Sequence, residues 1–145
     1  MRMLIGQSKI PSPLAGFTLI ELLVVLAIVA LLAGLVGPSV LNQLGGAKTK
    51  TAKIQIKDLE MSLEMYKLDV GVYPSSNEGL ESLVQKPSDA DGWNGPYLKS
   101  EVPKDPWKND YYYVHPGTRA DIDIYSLGQD GAQGGDGEDS DVGNW

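Results

Sequence analysis

Apolar positions change their spacing along this chain, and each change predicts a different element. From Phe17 to Val36 the chain reads FTLIELLVVLAIVALLAGLV, twenty residues in which Glu21 is the single charge. A helix of that length rises about 30 Å, the thickness of a bilayer's hydrocarbon core. Gly34, Gly37 and Pro38 follow. Proline removes one backbone hydrogen bond and crowds the preceding turn. A kink or a locally melted stretch is expected at Gly34–Pro38, or else simply the end of the membrane segment. Gly45-Gly46 is a second weak point.

From Ala47 to about Leu68 the pattern becomes amphipathic. Ile56, Leu59, Leu63 and Tyr66 recur every three or four residues, one apolar face of a helix. That face is expected to pack on a small sheet, with the opposite face solvated. Lys48, Lys50, Lys53 and Lys57 crowd the first half, placed to meet headgroups or acidic neighbours, while Glu60 and Glu64 lie further on. Gly71-Val-Tyr-Pro74 stops the helix. A short helix is expected over Glu78–Val84, capped by Asn77 or Ser76 and ended at Lys86-Pro87. Trp93–Tyr97 reads as a turn, and Tyr111–Val114 and Ile122–Ser126 as two short strands. The fold class is α+β. His115, beside Pro116 and Gly117, reads as a surface turn residue and not as a ligand or base.

The length of 145 residues leaves roughly 75 to 80 for a globular part, a size at which a core alone is marginal and a staple is common. There are no cysteines, so disulfides are excluded and attention turns to a metal. The net charge of −7 is unevenly placed: Arg2 and Lys9 stand in the first sixteen residues, which carry no acid. The last eighteen carry Asp130, Asp136, Glu138, Asp139 and Asp141 and no base. An acidic body does not suit nucleic acid, which needs a basic face.

The acidic stretch 127–141 combines carboxylates with flexible glycines, hard oxygen donors of the kind calcium takes in sets of six to eight. Soft or borderline metals do not fit, since cysteine is absent and the one histidine is distant. The plain alternative is a solvated acidic tail. Val142 and Trp145 beyond it argue for an anchored loop. The spacing is not that of an EF-hand.

Basic residues before the apolar helix and acidic ones after it predict a cytoplasmic N-terminus. An ordinary signal peptide is the competing reading, but the apolar run is longer than its usual core, and a carboxylate stands at its start. Glu21 is costly at a membrane margin, and such groups usually have a partner and a function.

Gly16-Phe17-Thr18-Leu19-Ile20-Glu21 resembles the processing site of type IV prepilins and type II secretion pseudopilins. The resemblance implies cleavage by a prepilin peptidase after Gly16, methylation of Phe17, and a leader of sixteen residues that is longer than usual. It also implies that Glu21 pairs with the Phe17 amine of a neighbouring subunit, an ion pair that sets register more than it adds stability. Further strings resemble one branch, the major pseudopilin: Tyr73-Pro74 with Asn77-Glu78-Gly79-Leu80, Gly95-Pro-Tyr97-Leu98, Pro103-Lys-Asp-Pro106-Trp107, Tyr125-Ser-Leu-Gly128 and Val142-Gly-Asn-Trp145. The implied fold is type IV pilin-like: a leader over 1–16, a transmembrane and assembly helix over 17–38, its amphipathic continuation over 39–70 and a periplasmic part over 71–145. Helix melting near the proline belongs to the same family picture.

The resemblance further implies a calcium site held by the Leu127 carbonyl, Asp130, the Ala132 carbonyl, Asp139 and Asp141. The extra acids Asp136 and Glu138 leave the second carboxylate cluster open. Implied partners are the chain itself as a helical homopolymer, minor pseudopilins, prepilin peptidase, the inner-membrane secretion platform and membrane lipid, with no nucleic acid. The implied place is the bacterial inner membrane, single-pass, with the C-terminal domain periplasmic. Growth of a periplasmic pseudopilus would push folded proteins through an outer-membrane secretin.

A true type IV pilin for adhesion, motility or DNA uptake is the alternative, disfavoured because many such pilins carry paired C-terminal cysteines. A hydrolase using the acidic loop would need a pocket and tuned carboxylates. A glycine-rich loop holds these poorly, and no Ser/His/Asp or Cys/His set is available, so the chain is not expected to be an enzyme. A tethered calcium-binding module would differ from a filament subunit in tolerating replacement of Glu21.

Overall fold

In the computed structural model residues 16–145 are described, with backbone alone for Leu41 and Asn42. Helix α1 runs Leu19–Val70. The chain divides into two units after Ser39. In the first, every described residue from Gly16 to Val36 is exposed, including Phe17 and the run of leucines and valines. By length and composition this helix is able to cross a membrane.

The helix is unbroken at Gly34–Pro38, so that stretch is not melted, and it runs on through 39–70 as expected. Proline deletes only its own bond to the carbonyl four residues back. That carbonyl belongs to Gly34, and the turns on either side keep their bonds. Gly45-Gly46 is helical too.

The second unit is built on the remainder of α1. Ala52, Ile56, Leu59, Leu63 and Tyr66 are buried, as their spacing predicts. Gly71 stops the helix with φ 94°, its N–H donating to the Lys67 carbonyl. Only glycine enters that left-handed region without steric penalty. The buried stripe packs on Tyr73, Leu80, Leu83, Ala90, Tyr111, Ile122, Ile124 and Val142. A buried Leu or Ile side chain contributes about 1.5–3 kcal/mol.

The short helix is a single 3-10 turn, Leu80–Leu83. It is preceded by a side-chain lock in which the Ser75 N–H and hydroxyl both donate to Glu78, and neither Asn77 nor Ser76 caps it. Ser76 instead exchanges hydrogen bonds with the His115 backbone. His115 is half-buried, its Nδ1 3.1 Å from the Pro74 carbonyl and its ring edge-on to Tyr73. It is therefore a packing residue of this turn.

Strands β1 (Tyr112–Val114), β2 (Asp123–Ser126) and β3 (Val142–Gly143) form an antiparallel sheet in that order. Tyr112 faces Tyr125 across β1–β2, and Ser126 faces Val142 across β2–β3. The third strand was not foreseen, since two residues carry no readable alternation. Asn144 extends it, donating its N–H to the Ile124 carbonyl and accepting the Ile124 N–H on its side chain.

Asp123 alternates with two isoleucines and ought to be solvated, but it is buried. It accepts the Thr118 N–H and hydroxyl and the Arg119 and Ala120 N–H groups, and so folds the β1–β2 connection over itself. Burial pushes its carboxyl up, but these bonds outweigh burial and hold it below the usual range.

Candidate processing site and acidic loop

Gly16, Phe17 and Thr18 precede the helix and are exposed, so the bond after Gly16 lies in accessible, non-helical backbone. The leader up to residue 15, with Arg2 and Lys9, lies outside the described residues. Thr18 and Glu21 form a reciprocal cap. The Glu21 N–H donates to Thr18 Oγ1 (3.3 Å), and the Thr18 N–H donates to Glu21 Oε2 (3.4 Å). This is the capping box of S/T-x-x-E, legible in the sequence as Thr18-Leu-Ile-Glu21. It holds a carboxylate against the turn that carries Phe17, where the positive end of the helix dipole also favours it.

The acidic loop is anchored at its start by a buried carboxylate that sequence reading passed over. Asp105 accepts the Ser126 hydroxyl at 2.5 Å and the Trp107 and Asn109 N–H groups at 3.0 and 2.8 Å. Ser126 in turn accepts the Gly128 N–H, and Asn109 donates to the Gly128 carbonyl. Asp105-Pro-Trp107 stands in the sequence only as one of the strings that carry the family resemblance. Its anchoring role depends on Ser126, twenty-one residues away.

The candidate metal residues are only partly gathered. Leu127, Gln133, Gly134 and Asp141 line one cavity of about 620 Å3 together with Arg119 and Trp145. Asp141 Oδ2 accepts the Gly134 N–H at 3.1 Å, while its Oδ1 is buried with no hydrogen-bond partner. Asp139 is half-buried. Asp130 and Ala132 are exposed and joined in a local turn, the Ala132 N–H donating to Asp130 Oδ1. Among the described residues no three carboxylate or imidazole side chains converge.

Glu138 points elsewhere. Its Oε2 accepts Lys48 Nζ at 3.2 Å and Trp107 Nε1–H at 3.0 Å, and together these donors hold its carboxyl below the usual range. Its stem lies over Gly45, where an added Cβ would come within 2.5 Å of Cγ. Gly45 is thus the seat of the loop on the helix as well as a weak helix former. Val142 anchors the loop's end in the core, whereas Trp145 stays half exposed, against Tyr125 and under Arg119.

Residues 39–145 match the family described as Type II secretion system (T2SS), protein G, and residues 15–37 match the prokaryotic N-terminal methylation motif. The chain is 47% identical over 134 residues to a type II secretion system core protein G from Pseudomonas aeruginosa, covering 90% of this chain and 94% of that one. A core protein G from Vibrio cholerae is also 47% identical, over 133 residues and 90% of each chain. The crystal structure of the major pseudopilin of enterohaemorrhagic Escherichia coli superposes with a TM-score of 0.61 at 36% identity. That match covers 69% of this chain and 88% of the other. With a non-helical, exposed Gly16-Phe17 bond, an apolar helix and a three-stranded sheet in place, the chain belongs to the type II secretion system protein G family, the major pseudopilins.

Proposed function

We propose that this chain is the major subunit of a type II secretion pseudopilus, made as a single-pass inner-membrane precursor with its C-terminal domain in the periplasm. The observation that carries this reading is the exposed apolar stretch Phe17–Val36 directly behind an accessible Gly16-Phe17 bond. The described part of the chain has nothing with which to cover that stretch, so lipid and then other copies must do so. Cleavage after Gly16 frees an ammonium on Phe17 about one turn from Glu21. In a polymer the Glu21 carboxylate leaves its own Thr18 N–H for the amine of the next copy, an exchange that costs one weak cap and neutralises two charges. Minor pseudopilins, the prepilin peptidase and the inner-membrane platform are the further partners, and no step in this role asks the chain to catalyse a reaction.

The acidic loop is read as a calcium site formed by the carbonyls of Leu127 and Ala132 and the carboxylates of Asp130, Asp139 and Asp141. The support is Asp141 Oδ1, a buried acceptor with no donor. A buried carboxylate oxygen left unpaired is costly, and a hard cation would relieve it. Calcium would supply charge compensation there. Glu138 is left out of the set because Lys48 and Trp107 occupy its oxygen.

Mass spectrometry of the chain purified from a bacterium with a type II secretion system tests the processing. A mature terminus at methylated Phe17 is expected, and a chain cut elsewhere overturns the reading.

A further inference from the structure

The face of α1 turned away from the core is not the plain polar face expected of it, since Ile54, Met61, Met65 and Leu68 are exposed. Its first half carries a second feature, a block of charge of one sign. Between Glu21 and Asp58 the chain has four lysines and no acid, in a molecule of net charge −7. Lys48 is held by Glu138. Lys50, Lys53 and Lys57 are exposed and, among the described residues, enter no ion pair. Spacings of three and four put them on one side of the helix, around Ile54, which is 63% exposed. Beside them lies a cavity of about 590 Å3, lined by Gly45, Gly46, Thr49, Lys50, Lys53 and Glu138. A Cβ at Gly46 would meet nothing within 4 Å, so the helix surface is open there. The Glu138 carboxylate is already matched by Lys48, which leaves Lys50 and Lys53 as the uncompensated charges of the cavity.

The place of these lysines in the chain says which anion they meet. Lys50 and Lys53 come fourteen and seventeen residues after Val36, the last residue of the apolar span. Basic residues are ordinarily kept to the cytoplasmic side of a membrane protein. A block of them just beyond the far end of a span calls for an anionic partner on that side, and phospholipid phosphate is the anion always present there. An anionic lipid surface favours each nearby lysine by a factor of about five, and the attraction fades within a Debye length. An exposed isoleucine among lysines suits the same surface, with ammonium groups on phosphates and the apolar side chain toward the acyl chains. An upright helix would lift Lys50 about 21 Å above Val36, out of reach of the headgroups. Docking therefore needs a bend between the two, where Gly37, Pro38, Gly45 and Gly46 stand.

We infer that Lys50, Lys53 and Lys57, with the cavity at Gly45-Gly46, are a docking site for the phosphates of anionic phospholipid, which holds the domain of the unassembled subunit down on the membrane surface. This rests on the reading of Phe17–Val36 as a membrane span. It is tested with the full chain reconstituted in vesicles. The chain has no cysteine, so Ala47→Cys places a single fluorophore beside the lysines. Vesicles of phosphatidylcholine, with or without added phosphatidylglycerol, carry equal amounts of a lipid spin-labelled on its headgroup.

Quenching of the fluorophore is expected to rise severalfold with phosphatidylglycerol and to fall back in high salt. Lys50→Gln, Lys53→Gln and Lys57→Gln together should abolish the rise. Lys86→Gln, Lys99→Gln and Lys108→Gln, the same change of charge at three other exposed lysines, should leave it intact. Both triple variants should keep the urea midpoint of the unaltered chain, since all six side chains lie outside the core. A rise that survives the first triple variant, or quenching indifferent to lipid charge, overturns the docking site and leaves the span standing. Loss of polymer in the first triple variant with quenching unchanged also overturns it and assigns the lysines to a protein partner. A chain that does not insert into vesicles at all overturns the span, and the docking site with it.

Discussion

Residues 19–36 and residues 52–66 belong to the same helix and are both rich in apolar side chains, yet nothing in the described chain covers the first stretch, while the second lies against the core. In the first, apolarity runs all round the helix, as a membrane span requires. In the second, it is divided into a buried row that folds the domain and an exposed row that faces outward. Hydrophobic content alone does not say what a helix packs against; its angular distribution does. Substitutions in the two stretches should therefore fail in different ways, the first in assembly and the second in folding.

The largest expected effect comes from the first stretch. Glu21→Ala should abolish polymer and secretion while leaving urea unfolding of the domain unchanged; a shifted unfolding midpoint would break the division between the two stretches. Leu63→Ala should show the reverse, a loss of about 2–5 kcal/mol in chemical unfolding with cleavage after Gly16 intact.

Excess chelator is expected to lower the melting temperature, since a site held at 100-fold over its dissociation constant stabilises by about 2.7 kcal/mol. Asp141→Asn should remove most of that response, and a calorimetric scan that chelator leaves unmoved rules out a structural calcium site. A smaller effect concerns acid. The carboxyl of Asp123 is held below its unfolded value, so as pH falls below about 4 the unfolded chain takes up the proton first and stability drops. Asp123→Asn should flatten that acid limb in unfolding midpoints measured against pH. Gly45→Ala should matter least, about 1 kcal/mol or less: a Cβ there displaces Glu138 from Lys48 and Trp107, a half-exposed contact of small value. A loss matching that of Leu63→Ala, about 2 kcal/mol or more, would mean that the loop's seat on the helix counts as much as a core side chain.

Much of this was legible from residue order. The span Phe17–Val36, the stripe Ile56–Tyr66, the stop at Gly71 and the two longer strands follow from periodicity and turn chemistry, which act over a few residues. The unbroken helix through Pro38, the 3-10 turn in place of a helix, the buried Asp123 and the exposed apolar row of Ile54, Met61, Met65 and Leu68 were not. Asp123 illustrates why. Its alternation says solvent, but the loop 118–120 that hydrogen-bonds it can be recognised only once the chain has turned back on itself. The candidate metal loop divides in the same way, because the carboxylates are visible in the sequence while their distances are not.

The chain's own order determined the processing signal, the helix that carries it and the inventory of oxygen donors, because each is set by neighbours within one or two turns. Tertiary structure alone decided that Glu138 clamps the loop at Gly45, that Asp105 anchors its start through Ser126, and that Asp141 is left with an oxygen in want of a partner. Those facts depend on which distant backbones come together, and burial decides which polar groups must find partners at all.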